Sequence, residues 1–128
     1  MSLFHDQAEF MKAGNIPVGE PTYDVANMAS GLIFEEFEEW NDEHTSNTEF
    51  CPYMNINDIK ESLDLLYVTL QYLNVQLGPD KALECFKALH DNNMSKCEDG
   101  VLVKSPEGKV LKPANYRALD LTPLLEDL

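Results

Sequence analysis

Two groups of acidic side chains are the part of this sequence best suited to chemistry. The first group comprises Glu35, Glu36 and Glu39, and the second comprises Glu61 and Asp64. Each group contains an acid-x-x-acid step, and residues three or four apart share one face of a helix. Two such helices packed side by side would gather four or five carboxylates in one place. Because like charges repel strongly unless cations neutralise them, we expect a site for hard divalent ions such as Mg²⁺.

A solvated helix face is the competing interpretation of these acids, because charged side chains are mostly exposed. A helical wheel with about 100° per residue places Glu35, Glu36 and Glu39 in one patch and Glu38 outside it. Asp64 lies in a segment otherwise suited to burial, where a carboxylate needs compensation. The matched spacing and apolar flanks of the two groups favour an acidic helical bundle that binds divalent metal.

The bulk composition narrows the class of protein. The 128 residues fit one domain, and 44% of them are hydrophobic, enough for an ordinary core. The formal charge of −14 argues against a nucleic acid polymer or an acidic membrane surface as partner. The three cysteines, Cys51, Cys85 and Cys97, show no zinc-ligand spacing. With no apparent signal peptide or membrane span, we expect a cytoplasmic protein.

The hydrophobic periodicity predicts an all-α fold, a four-helix bundle with an irregular C-terminal extension. Gly14 and Gly78 are expected to end the first and third helices, and Thr22 or Asp24 and then Asn57 to cap the second and third. Four helices are predicted, over 2–13, from the cap at 22–24 to 44, over 58–77 and over 79–90, with a loop over 45–55 between the second and third. After the fourth helix we expect a small hairpin of 101–104 with 109–112. A short terminal helix is then expected to start at 122–123, with Thr122 as its cap and Pro123 at its first position.

Two sequence signatures together resemble a known family. The first is E-E-x-x-E over 35–39 followed by E-x-x-D over 61–64. It resembles the all-alpha nucleoside triphosphate pyrophosphohydrolases, the MazG-like superfamily, which includes phosphoribosyl-ATP pyrophosphohydrolases and dimeric dUTPases. The second is H-x-x-N-M-S-K over 90–96 with G-K-V-x-K over 108–112. It resembles the phosphoribosyl-ATP pyrophosphohydrolase-like branch, and together the two signatures cover nearly the whole chain.

The resemblance implies Mg²⁺-dependent cleavage of a (deoxy)nucleoside triphosphate to the monophosphate and pyrophosphate, with Mn²⁺ as an alternative ion. The positions that match the family's metal ligands are Glu36, Glu39, Glu61 and Asp64. Glu35 matches an additional acid that orders the attacking water, so the expected catalytic residues are Glu35 and Glu36. Lys60 stands four residues before Asp64, and the two side chains are expected to pair on one helix face.

The substrate is expected to meet the C-terminal segment. Basic residues are concentrated there, and their amines would suit phosphate groups in a chain otherwise short of positive charge. A single lysine or asparagine in such a segment is also an ordinary exposed or capping residue, and a single aromatic ring often only packs. The expected substrate-binding residues are Asn93, Lys96, Lys109, Lys112 and Tyr116.

Alternatives stay open at this stage. The same carboxylates would serve a non-enzymatic metal- or nucleotide-binding helical module, and a weaker interpretation is an acidic protein-interaction domain. Within the enzyme interpretation, phosphoribosyl-ATP is an alternative substrate, although a dNTP with a pyrimidine or noncanonical base is favoured. Long helices with two apolar sides predict a homodimer or homotetramer.

Overall fold

The computed structural model describes residues 2–46 and 56–126, and in these ranges the chain is mostly helical, as predicted. The predicted loop over 45–55 lies largely outside the described residues, as does Cys51. None of the described helices is both long enough and apolar enough to cross a membrane. The elements are α1 (Leu3–Ala13), α2 (Tyr23–Ser46), α3 (Ile56–Leu77), α4 (Pro79–Met94), β1 (Cys97–Glu98), β2 (Val101–Leu102) and α5 (Thr122–Leu125).

The chain divides into two compact units, Met1–Ala82 and Leu83–Leu128. The prediction of one domain over 1–128 stays a prediction. In the first unit, α2 and α3 run antiparallel along each other, and α1 packs on α3. A small core of Met11, Ala29 and Val75, each at most 1% exposed, joins the three helices. Alanine at position 29 lets the helices approach closely at this level.

A chain of buried side-chain amides links α1 to α3. Asn74 donates from Nδ2 to the main-chain oxygen of Phe4 and to Oε1 of Gln7, both at 2.9 Å. Gln7 in turn donates from Nε2 to Oε1 of Gln71 at 3.2 Å. Because these amides are almost completely buried, each unmade bond would cost about 1–3 kcal/mol. The network therefore fixes the register of α1 on α3.

The turns around the helices follow elementary backbone chemistry. Gly78 has φ +76° and ends α3 as predicted, because its N–H returns to the carbonyl of Asn74 at 2.9 Å. The same carbonyl accepts from the N–H of Gly19 at 2.8 Å, which ties the connector before α2 to the end of α3. Thr22 is confirmed as a cap of α2, since its hydroxyl accepts from the N–H of Val25 at 3.3 Å.

Several predicted boundaries were wrong. Helix α3 already begins at Ile56, so Asn57 is the second residue of the helix and not, as predicted, the residue before it. Helix α4 continues past His90 to Met94, because nothing before the turn at 95–96 interrupts its hydrogen bonds. Thr122 is the first residue of α5 and not its cap, and its N–H donates to Oδ1 of Asp120 at 2.9 Å.

The second unit contains a two-residue hairpin that the sequence analysis did not predict, followed by the hairpin that it did predict. Strands β1 and β2 pair antiparallel around Asp99 and Gly100, whose φ values of +52° and +78° give the turn preferred by two-residue hairpins. The Asp-Gly dipeptide was the signal that the prediction missed.

The predicted hairpin of 101–104 with 109–112 is present in a short form, with an antiparallel bridge between Lys104 and Val110. The N–H of Leu111 donates to the Val103 carbonyl and the N–H of Ser105 to the Lys109 carbonyl, both at 2.8 Å, and the turn closes from Gly108 N–H to the Ser105 carbonyl at 2.9 Å.

Candidate metal centre

Helices α2 and α3 are held in register close to their acidic residues. Trp40, next to Glu39 on α2, donates from Nε1 to the hydroxyl of Ser62 on α3 at 3.0 Å. The hydroxyl of Ser62 donates its own hydrogen to the carbonyl of Asp58 at 2.8 Å, so its lone pairs are available to accept from the indole N–H. A directional bond thus fixes which turn of α2 faces Ser62 and its neighbour Glu61.

Three carboxylates converge at this level of the helix pair. Glu36, Glu39 and Glu61 each offer one oxygen, and the three oxygens lie within 4.8 Å of one another. Among the side chains of residues 2–43 and 56–126, no other group of three acidic, histidine or cysteine residues is close enough to share a metal ion. Glu36 and Glu39 are one turn apart on α2, and Glu61 completes the group from α3.

The electrostatics of the group reflect uncompensated negative charge. Partial burial raises the pKa of Glu36, and its hydrogen bond with Glu39 together with the charges of Glu39, Asp64 and Glu61 raise it further. Oε2 of Glu36 and Oε2 of Glu61 are shielded from solvent and have no hydrogen-bond partner. Shielded carboxylate oxygens without donors are costly, and a cation placed among them would remove that cost.

The fourth predicted ligand has a different environment. Asp64 pairs through Oδ2 with Nζ of Lys60 at 2.9 Å, as predicted, and Lys60 also approaches Glu61 at 3.6 Å. The hydrogen bond and charge of Asp64 raise the pKa of Lys60. Asp64 still lies near enough to Glu36 to raise its pKa, but it does not belong to the group of three. The ammonium of Lys60 occupies the position of a counter-ion on this side.

Glu35, which the sequence placed in one patch with its neighbours, is exposed and outside the group of three. The helical wheel placed Glu35 in one patch with Glu36 and Glu39, but the position of α3 decides which of these acids converge. Only Glu36 and Glu39 lie close enough to Glu61 to belong to the group. The roles of Glu35 and of Asp64 stay predictions.

The donor set fits a hard divalent cation. Oxygen ligands alone suit Mg²⁺ and Mn²⁺, and neither histidine nor thiolate enters the group. Mg²⁺ prefers about six ligands and usually keeps several waters, so three carboxylates leave room for water and for substrate phosphate. The arrangement is therefore an open site, suited to a metal that contacts a further molecule.

The predicted substrate-binding residues belong to the second unit, and the structure brings most of them around Tyr116. Nζ of Lys96 lies 5.7 Å and Nζ of Lys112 5.2 Å from the centre of the tyrosine ring, within cation–π range. Lys96 also donates to Oδ1 of Asn93 at 3.2 Å. Lys109 is instead exposed in the turn after Ser105, where its N–H bonds the serine hydroxyl.

Asn92, which the sequence prediction did not select, organises this cluster. Its Oδ1 accepts from the Tyr116 hydroxyl at 2.9 Å, and its Nδ2 donates to the carbonyl of Arg117 at 2.8 Å. Two lysines beside an anchored tyrosine form a cationic surface in a strongly acidic chain. Substrate binding by these residues stays a prediction.

Neither a scan against protein-family models nor a search of curated proteins found a match to this chain.

Proposed function

We propose that this protein is a Mg²⁺-dependent nucleoside triphosphate pyrophosphohydrolase, which cleaves a (d)NTP to the (d)NMP and pyrophosphate and clears unwanted nucleotides from the cytoplasmic pool. The observation that carries the proposal is the convergence of Glu36, Glu39 and Glu61, with one carboxylate oxygen of each within 4.8 Å of the others. The sequence resemblance to the MazG-like superfamily supplies the reaction, and the open oxygen site supports it.

In this proposal the three glutamates hold the ion and Asp64 joins them once Lys60 moves aside. The side chain of Lys60 is 67% exposed, so its ammonium can rotate into water while the side chain gives up little buried surface. A divalent ion bound there would neutralise phosphate charge and lower the pKa of a bound water. Glu35, exposed beside Glu36, is the proposed residue that orients and deprotonates the attacking water. In phosphoryl transfer the protein contributes mainly such positioning and charge stabilisation.

The second unit is proposed to bind substrate through Asn93, Lys96, Lys109, Lys112 and Tyr116. Lysine ammonium groups suit phosphate oxygens, and the ring of Tyr116 offers a planar surface. Support comes from the contacts of Lys96 and Lys112 with that ring, which concentrate positive charge in a chain of net charge −14.

We further propose that the chain forms a homodimer or homotetramer. Helix α3 exposes Ile59, Leu63 and Leu66 at 51%, 60% and 45%, and their spacing places them on one side of the helix. Together with Trp40 they line an open cavity of about 480 Å³. Contiguous apolar surface of this kind marks an interaction site, and a second copy of the same helix pair is the proposed occupant.

Product analysis tests the proposed reaction. The purified chain is incubated with Mg²⁺ and a panel of dNTPs, NTPs, dUTP and phosphoribosyl-ATP, and pyrophosphate and orthophosphate are assayed separately. We expect pyrophosphate with a monophosphate, and a preferred base within the panel. Orthophosphate as the first product would place the cleavage at another bond. No product from any substrate, despite metal binding, would replace the enzyme by a metal- or nucleotide-binding module.

A further inference from the structure

A second cavity lies in the first unit, away from the three glutamates. Its volume is about 230 Å³, and its apolar walls include Ile16, Pro17, Val25 and Met28. Ile16 and Val25 pack against the core of the unit, so the core holds these two side chains of the cavity wall in place. Within this apolar lining stands one almost fully buried amide, Gln71, at 7% exposure.

The buried amide network fixes which way Gln71 points. The main-chain oxygen of Phe4 can only accept, so the side chain of Asn74 must present Nδ2 to it. The same Nδ2 then requires Oε1 from Gln7, and Gln7 must give its Nε2 to Oε1 of Gln71. Each amide in turn sets the orientation of the next one.

Consequently Nε2 of Gln71 is the free end of the network. Its Oε1 is engaged by Gln7, and within the described part of the chain no acceptor receives a hydrogen bond from its Nε2. That nitrogen is also absent from the atoms that are both fully shielded and unpartnered, so it is accessible. An accessible amide N–H, held by three consecutive hydrogen bonds in an apolar cavity, is preorganised to donate a hydrogen bond to an acceptor atom of a ligand.

On α2 the cavity shares a helix face with Glu36 of the candidate metal centre, and on α3 it shares one with Asp64, which lies beside that centre. Ala29, in the cavity lining, and Glu36 are seven residues apart on α2, and Gln71 and Asp64 are seven apart on α3. Seven residues are almost two full turns, so each pair shares one helix face at a separation of about 10 Å. A nucleoside triphosphate spans such a distance between its base and its phosphates.

We propose that this cavity binds the base of the nucleotide, with Gln71 Nε2 donating to a ring carbonyl; the proposal rests on the proposed nucleotide hydrolase. Pockets for drug-sized ligands occupy about 300–1,000 Å³, so a cavity of about 230 Å³ suits a single ring better than a purine. Asp24 lies at the same cavity and offers a carboxylate to a ring N–H or amine. Uracil and thymine carry a ring carbonyl beside an N–H, and cytosine carries a carbonyl and an amine. Guanine carries the same groups, so it is the small volume of the cavity that favours the single ring of a pyrimidine.

The test uses nucleosides, which lack phosphates and therefore bypass the metal centre. The full chain, in chelator, is titrated with deoxyuridine, deoxycytidine, deoxyadenosine and deoxyribose, and backbone amide NMR shifts are followed. We expect the two pyrimidine nucleosides to shift resonances of residues 15, 16, 24–29 and 71, deoxyadenosine to bind more weakly, and deoxyribose to leave them unchanged. Shifts confined to other residues, equal shifts with deoxyribose, or no shifts at millimolar nucleoside would overturn the proposal.

Two variants and one control sharpen the result. Met28→Trp fills the cavity from a residue that is 72% exposed and is expected to abolish pyrimidine binding. Phe34→Trp, at 70% exposure on the same helix, is the matched control and is expected to bind normally. Gln71→Met removes the donor and is expected to weaken binding about two- to tenfold. Normal binding by Met28→Trp would contradict the site whatever happens to Gln71→Met.

The outcomes separate this proposal from the hydrolase. Pyrimidine binding in the cavity without hydrolysis of any nucleotide would remove the hydrolase and keep the base site. Hydrolysis with a base preference that Met28→Trp leaves unchanged would keep the hydrolase and remove the base site.

Discussion

Nζ of Lys60 lies 2.9 Å from Oδ2 of Asp64, one turn away on α3, and so one acid beside the candidate metal centre is paired with a basic side chain of the chain itself. The three glutamates that converge nearby have no such partner for two of their shielded oxygens. Lys60 would therefore compete with a divalent ion for the carboxylate of Asp64. In the proposed metal site, a divalent ion would have to displace Lys60 before Asp64 could serve as its fourth carboxylate.

Lys60→Met is expected to strengthen divalent metal binding. The variant frees Asp64 and removes a positive charge from the site, while methionine keeps the length of the side chain. Because an exposed ion pair is weak, we expect an increase in Mn²⁺ affinity of about two- to fivefold. Lys12→Met, an exposed lysine at the end of α1, is the control and should leave the affinity unchanged. Weaker binding in Lys60→Met would mean that Lys60 supports the site instead of competing for it.

The raised pKa of Glu36 predicts how the stability of the metal-free protein depends on pH. Since the folded protein holds this proton more tightly than the unfolded chain, the contribution of Glu36 is greatest below its ordinary value of 4.5. It falls as the pH rises from there through the higher pKa of the folded state. The free energy of unfolding, measured by urea denaturation in chelator, should therefore contain a component that decreases toward neutral pH.

Glu36→Gln should remove that component and make the metal-free protein more stable at pH 7, since one member of a repelling cluster becomes neutral. Glu38→Gln, an exposed neighbour outside the group, is the matched control and should retain the wild-type pH profile. Parallel profiles for wild type and Glu36→Gln would contradict the assigned origin of the shift.

The buried amide network should account for a measurable part of the stability of the first unit. Gln7→Ala leaves Oε1 of Gln71 without its donor and removes one acceptor from Asn74, in addition to opening a small void. We expect a loss of about 2–4 kcal/mol in the free energy of unfolding. Glu9→Ala, exposed on the same helix, should change it by no more than about 0.5 kcal/mol. Equal effects of the two substitutions would show that the network contributes little.

The apolar face of α3 predicts self-association. Leu63→Glu should convert the wild-type oligomer into a single chain of 14.5 kDa, because a charge would be buried at the contact. Leu3→Glu is the matched control, since Leu3 on α1 is 62% exposed compared with 60% for Leu63. Light scattering after gel filtration measures both masses. A wild-type mass of one chain would contradict the oligomer, and an unchanged mass for Leu63→Glu would place the contact on another face.

The sequence predicted the helical elements because their signals are local. Apolar spacing, Gly14, Gly78 and Thr22 act within one or two turns, and the structure agrees with each of them. The start of α3 was missed because Asn57 has the chemistry of a cap but lies one residue inside the helix.

The geometry of the candidate site was only partly predictable. That Glu36, Glu39 and Glu61 meet, while Glu35 stays outside, depends on the rotation of α2 against α3, which the Trp40 to Ser62 hydrogen bond helps to set. The orientation of Gln71 depends on contacts with a residue far away in the sequence, Gln7. Its sequence signal was the occurrence of polar residues 71 and 74 on one face of α3, where burial obliges them to find partners.

Metal binding by the three glutamates is the central claim, and calorimetric titration with Mn²⁺ and Mg²⁺ tests it most directly. Wild type and Glu38→Gln should bind alike, whereas Glu61→Gln should bind at least about tenfold more weakly while keeping its helical circular dichroism. Such a result would confirm that α2 and α3 jointly hold the ion. Absence of binding in the wild type, or equal affinity in Glu61→Gln, would contradict the metal centre and leave the carboxylates as a solvated helix surface.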